Sequence, residues 1–266
     1  APTGPIPSST RKCTFATPMS LPQLTFPRFL AALLVVLYHY GSGSFEEVFP
    51  VLDRVISHGA IAVSFFFFLS GLVLGLNYLG PPIQFRVFWL RRLARLAPLY
   101  ALAFVLTLSL QAHFFGDIPR GSTIIAQLIA MHAWFPEMCL AINYPGWSIS
   151  VEVFLYLILP LLAGILTRMG VIRGALVMVT LWLLNLVVDL YLRGSHAQER
   201  SLPEAFVLYF PLWHVGTFAM GLLCARFILH GTKRVFIGRI AIPMMVTGTI
   251  FLGWAFMTKN PLREVA

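Results

Sequence analysis

Apolar runs long enough to cross a bilayer recur along this chain, and they leave little room for any other kind of fold. Stretches of roughly spanning length, about 17–25 residues, lie near 27–44, 57–79, 97–115, 151–168, 173–192, 205–229 and 238–257. A weaker run, 122–135, carries Gln127 and His132. It is too short for a full span and suits a re-entrant or tilted segment better. Hydrophobic residues make up 58% of the chain and charged residues 11%. A water-soluble fold of this size has no core large enough to hide that much apolar surface. The expected fold is an all-α, polytopic transmembrane helical bundle of seven to eight spans. It forms one membrane domain over 23–266, after a Pro-, Ser- and Thr-rich leader at 1–22 that reads as disordered.

The formal charge of +9 is gathered into the connections between the apolar runs. Nucleic-acid binding needs a basic solvated face, and this chain has almost no solvated face to offer. Basic connections are instead the mark of the cytoplasmic side of a membrane protein. They lie at 80–96, 168–173 and 226–239, whereas 45–56 carries Glu46, Glu47 and Asp53 against Arg54. All three basic connections share one side only if 122–135 fails to cross. The N-terminus is then cytoplasmic, in a multi-pass inner-membrane protein. Cys13, Cys139 and Cys224 are odd in number and lack metal-ligand spacing, so neither a disulfide framework nor a metal site is expected.

Within this apolar background a few polar residues stand out. Arg28 and His39 are eleven residues apart in one run. On a helix that separation turns about 1100°, so the two side chains share a face, about 16 Å apart along the axis. Small residues lie between them, among them Ala31, Ala32 and Val35. Ionisable groups at membrane depth are costly and mark functional sites by default. A juxtamembrane anchor plus a core histidine is the plainer reading of the same pair. Arg91, Arg92 and Arg95 share i,i+3 and i,i+4 spacings, so one helical turn presents several guanidinia. Arginine forks suit phosphate, although lipid headgroups would be met equally well. Further on, Trp147-Ser148-Ile-Ser150-Val-Glu152 enters the next run. With 122–135 not crossing, Glu152 falls on the side toward which His39 points. A carboxylate that orients an imidazole is a recurrent catalytic pairing.

Taken in order, four motifs resemble the acyltransferase family 3 membrane proteins. They are Arg28-x10-His39, Phe66-Phe67-Phe68-Leu-Ser-Gly71, Phe88-x2-Arg91-Arg92-x2-Arg95-x2-Pro98-x-Tyr100, and Trp147-Ser148-x-Ser150-x-Glu152-x3-Tyr156-x3-Pro160. The resemblance implies an integral-membrane O-acyltransferase. Such an enzyme moves an acyl group, typically acetyl, from acetyl-CoA on the cytoplasmic side to a hydroxyl of a carbohydrate or related cell-surface acceptor. It implies catalytic roles for His39 and Arg28 with Glu152 beside them, donor binding by Arg91, Arg92 and Arg95, and acceptor binding by Trp147, Ser148 and Ser150. Acetyl-CoA is then a co-substrate, with no tightly bound cofactor. Val153 stands where the family often has a second acid, and the family carries more spans, so the chain reads as incomplete at its C-terminus. Two other classes fit a polar path through a helical bundle: a transporter, or a catalytically silent truncated membrane protein. No inverted repeat supports the transporter.

Overall fold

In the computed structural model, residues 22–230 are described, except 42, 46, 58, 80–83, 117 and much of 171–201. Among the described residues every regular element is helical. The expected leader, apart from Pro22, and the expected span 238–257 lie outside the described residues, and 173–192 is described only in part.

Helix α1, Thr25–Tyr40, ends where Gly41 returns its N–H to the Leu37 carbonyl. The chain then turns through Gly43, at φ +86°, a left-handed conformation that favours glycine. The Gly43 N–H donates to the Asp53 carboxylate at 2.7 Å. Asp53 is thus buried in the short helix α2, Pro50–Ser57, and ties this connection together. Helix α3, Ile61–Tyr78, follows directly.

Helix α4 runs unbroken over Phe85–Phe115. The basic connection expected at 80–96 is therefore largely its first three turns and not a loop. Arg, Leu and Ala are strong helix formers and carry it through Pro98. It stops at Gly116, in the left-handed conformation that commonly ends helices. Much of its outer surface is bare and apolar: Leu99 is 72% exposed and Leu102 64%. A face of that kind belongs against lipid.

Helix α5, Gly121–Leu128, has eight residues, about 12 Å of helix against a hydrocarbon core of about 30 Å. It does not cross as a helix, and at Ala130, φ +53°, the chain turns back. A 3₁₀ turn, His132–Trp134, and another, Tyr144–Gly146, lead into helix α6, Trp147–Arg168. Helix α7, Leu202–Tyr209, and the 3₁₀ turn Pro211–His214 precede helix α8, Val215–His230.

Four of these segments are long and apolar enough to cross a membrane: Ile61–Tyr78, Phe85–Phe115, Tyr144–Arg168 and Pro211–Leu229. Contacts give their directions. The start of α3 meets the end of α1, where a Cβ on Gly59 would lie 2.6 Å from Tyr38. The end of α3 meets the start of α4 through Tyr78 and Phe88, 5.1 Å between ring centroids. Gly71 packs against Phe218, and Gly75 against Leu222 and Ala225, so α3 and α8 run parallel. Arg226 near the end of α8 donates to the Met169 and Thr167 carbonyls, at 2.6 and 3.3 Å, just where α6 ends. Hence α1 and α4 point one way and α3, α6 and α8 the other. One end of the bundle collects Arg28, Arg92, Arg95 and Arg226, and the opposite end collects His39, Tyr144 and His214. The core between them is built on Phe67, Leu74, Phe88, Leu155, Tyr156 and Phe218.

The basic end should be the cytoplasmic one. Single cysteines at Ser122, Asn143 and Arg173 in a Cys-free background test this with a membrane-impermeant thiol reagent on intact cells. Labelling is expected at the first two positions and protection at Arg173; the reverse pattern inverts the topology. Cys139, 1% exposed and with its thiol pushed up to about 11 by burial, adds little background even where it is retained.

Candidate active site

A cavity of about 440 Å³ lies between α1, α3, α4 and α6. Helical spacing explains who lines it. From α1 come Arg28, Ala32, Val35 and Val36, one stripe at i, i+4, i+7 and i+8. Ala31, expected on the same face, is buried elsewhere in the packing. From α4 come Arg92 and Arg95, one turn apart, and from α6 come Ser148, Glu152 and Tyr156 at successive i,i+4 steps. Ser70 of α3 completes the polar lining.

The chamber is polarised. At its basic end three guanidinia share the lining with one carboxyl group, so basic groups outnumber acidic ones. Glu152 is itself engaged: the Tyr156 hydroxyl and, at 3.4 Å, the Ser70 hydroxyl both donate to its Oε1. The Arg92 guanidinium lies 5.3 Å from the Tyr156 ring centroid and 5.7 Å from that of Phe88. Both distances are within cation–π range, which holds the charge over aromatic faces. Toward the other end the lining becomes apolar, with Val35 and Val36 opposite Val63 and Phe66.

His39 stands three residues beyond Val36 on that same stripe. Its ring packs edge-on against Tyr144, 5.0 Å between centroids, and lies 5.1 Å from the ring of Tyr38. The Tyr144 hydroxyl is 3.4 Å from that of Tyr209. The expected pairing of His39 with Glu152 is therefore not what the fold makes. Tyr144 and Glu152 are eight residues apart at the head of α6, about 12 Å if helical throughout, so the neighbour of one is remote from the other. Glu152 sits level with the arginines.

The remaining expected site residues divide. Ser148 lines the cavity, and its hydroxyl also donates to the Pro145 carbonyl at 2.9 Å. Trp147 and Ser150 do not line it. Trp147 is packed among Phe67, Tyr209 and His214, with centroid distances of 6.1, 4.9 and 5.4 Å. Ser150, 1% exposed, accepts the Ala133 N–H at 3.4 Å and so pins the re-entrant segment to α6. Arg91 is exposed on α4, outside the cavity lining. Tyr156, Ser70 and Tyr144 carry no role in the sequence reading. The i,i+4 step from Glu152 to Tyr156 was a legible signal, whereas nothing local links Tyr144 to His39.

The acyltransferase-domain family model matches residues 22–263. The chain belongs to this acyltransferase family. Among curated proteins, acyltransferase MdmB of Streptomyces mycarofaciens is 33% identical over 165 residues, covering 58% of this chain. The match takes in 42% of that relative's length. No solved structure matches.

Proposed function

We propose that this membrane protein transfers an acyl group, typically acetyl, from acyl-CoA at the cytoplasmic face to a hydroxyl of a carbohydrate or related cell-surface acceptor. The polarity of the cavity carries this reading. An anionic head belongs at Arg28, Arg92 and Arg95, and a thin arm fits the stripe of Ala32, Val35 and Val36. That stripe leads to His39, about 16 Å from Arg28 along the helix.

In this mechanism the guanidinia hold the donor's phosphates by charge-assisted hydrogen bonds. Arg28 joins that cluster, since it shares the cavity with Arg92 and Arg95. His39 takes the proton of the acceptor hydroxyl as its oxygen attacks the thioester carbon. The C–S bond breaks, and the proton is passed to the departing thiolate. The same imidazole serves equally as an acyl carrier, attacking the thioester first and then yielding the acyl group to the acceptor. Glu152 moderates the excess positive charge of the donor end, with Tyr156 and Ser70 holding its carboxylate in place. The acceptor approaches from the end of the bundle that holds Tyr144.

The test is donor dependence in proteoliposomes. Arg92→Gln with Arg95→Gln should raise the KM for acetyl-CoA about tenfold or more, since a hydrogen bond to a charged group is worth about 1.5–3 kcal/mol. The acceptor KM should move far less, and added salt should weaken donor binding in the wild type. An unchanged donor KM in the double variant leaves these arginines with a topological role alone.

A further inference from the structure

His39 carries the chemistry in the mechanism above, yet it lies outside the lining of the large cavity. Its aim is therefore set by the groups that touch it, and among the described residues the contacts of its ring are with other rings. Tyr38 and Tyr40 flank it on the same helix, so they turn with α1 and hold the imidazole against nothing else. Tyr144 is different. It comes from the 3₁₀ turn ahead of α6, and its ring stands at 83° to the imidazole with 5.0 Å between centroids. That perpendicular arrangement is one of the two that aromatic pairs prefer. Tyr144 is itself held. In its turn the Gly146 N–H donates to the Asn143 carbonyl at 2.8 Å, and the Ser148 hydroxyl ties the Pro145 carbonyl at 2.9 Å. The Tyr144 hydroxyl meets that of Tyr209 at 3.4 Å, and the Tyr209 ring packs on Trp147, a core residue, with 4.9 Å between centroids. A line of rings thus runs from the core through Trp147, Tyr209 and Tyr144 to His39.

We propose that Tyr144 is a positioning residue, whose ring fixes the plane of the His39 imidazole and so holds its reactive nitrogen in line for acyl transfer. The inference rests on His39 as the acyl-transfer base or carrier and deepens that reading. An imidazole at the end of a helix swings about its side-chain bonds unless a neighbour from another element blocks it. Tyr144 is that neighbour, and a ring contact restrains the imidazole without claiming either nitrogen as a hydrogen-bond partner. Tyr209 and Trp147 carry the restraint back to the core, which gives the Trp147 motif a role although Trp147 does not line the cavity. A reacting group displaced by about 1 Å costs about 10²-fold in rate, so the loss of this restraint is read in kcat and not in donor binding.

The experiment measures kcat and the KM for acetyl-CoA in proteoliposomes, for Tyr144→Ala, Tyr144→Phe, His39→Gln and the double variant His39→Gln with Tyr144→Ala. Tyr144→Ala should lower kcat by about ten- to a hundredfold and leave the donor KM close to that of the wild type. Tyr144→Phe keeps the ring and should retain most of the activity. In the His39→Gln background Tyr144→Ala should cost nothing further, because a residue that acts through His39 has nothing left to position. Tyr144→Leu, bulky but without a ring, decides the question if Tyr144→Ala folds poorly. An unchanged kcat in the folded Tyr144 variants, with His39→Gln inactive, overturns this inference alone. So does a Tyr144→Phe as slow as Tyr144→Ala, or an equal further loss in the His39→Gln background. A His39→Gln of near-normal activity, or a wild type that transfers nothing from acetyl-CoA, overturns the underlying reading and this inference with it.

Discussion

His39→Gln is expected to lower acyl transfer by about 10²–10⁴-fold, the usual worth of a positioned general base, while leaving membrane insertion and yield unchanged. Glutamine keeps much of the hydrogen-bonding capacity of the imidazole but neither its basicity nor its nucleophilicity, so it should be as inactive as His39→Ala. His39 is half-buried and packs by ring contacts at the end of α1, so its loss opens no large core cavity. Thermal stability in detergent should therefore hardly move. Single-turnover transfer from labelled acetyl-CoA is the measurement, and near-normal turnover in His39→Gln removes the residue from the chemistry. Trapping labelled acyl groups on wild-type protein in the absence of acceptor would separate the acyl-carrier route from direct transfer.

The second large effect is structural. Helices α3 and α8 touch backbone to backbone. A Cβ on Gly71 would sit 2.0 Å from the Phe218 carbonyl oxygen, and one on Gly221 would sit 2.1 Å from that of Phe68. Neither neighbour is a flexible side-chain tip, so the helices themselves must separate. Close approach of this kind is how small residues pack membrane helices. Gly71→Ala and Gly221→Ala should each destabilise the fold by about 1–3 kcal/mol, the usual range for overpacking, with Gly71→Val worse. Gly164 provides the contrast. It lies within α6 with nothing near the position a Cβ would take, so Gly164→Ala should be neutral or stabilise by about 0.5–1 kcal/mol. Thermal unfolding in detergent compares the four variants. Equal melting temperatures for Gly71→Ala and Gly164→Ala would show that the tight crossing contributes nothing.

Much of this was legible in the chain itself. Apolar runs named the class, since no other fold hides them, and the brevity of 122–135 foretold a segment that enters without crossing as a helix. Arg28 and His39 on one helical face, and Arg92 beside Arg95, follow from a period of 3.6 residues, which any reader of the sequence can apply. The four motifs led to the same family that the family model matches. What periodicity describes, though, is one helix at a time.

Which helices stand opposite one another is a separate matter, decided by packing between residues far apart in sequence. Topology read from the sequence pairs Glu152 with His39, because it puts both on one side of the membrane. Side is a coarse coordinate, and α6 descends along the cavity as α1 rises, so depth separates them. The fold gives Glu152 to Tyr156 and Ser70 and sets it level with three arginines. It gives His39 to Tyr144. Trp147 and Ser150 sit in a motif that reads as chemical, yet they turn into the packing, because at i−1 and i+2 from Ser148 they fall on other faces of the same helix. The sequence alone determined the membrane class and the family and singled out the candidate residues, since those depend on composition and local spacing. Only the tertiary structure decided their partners, because depth and facing are set where helices meet.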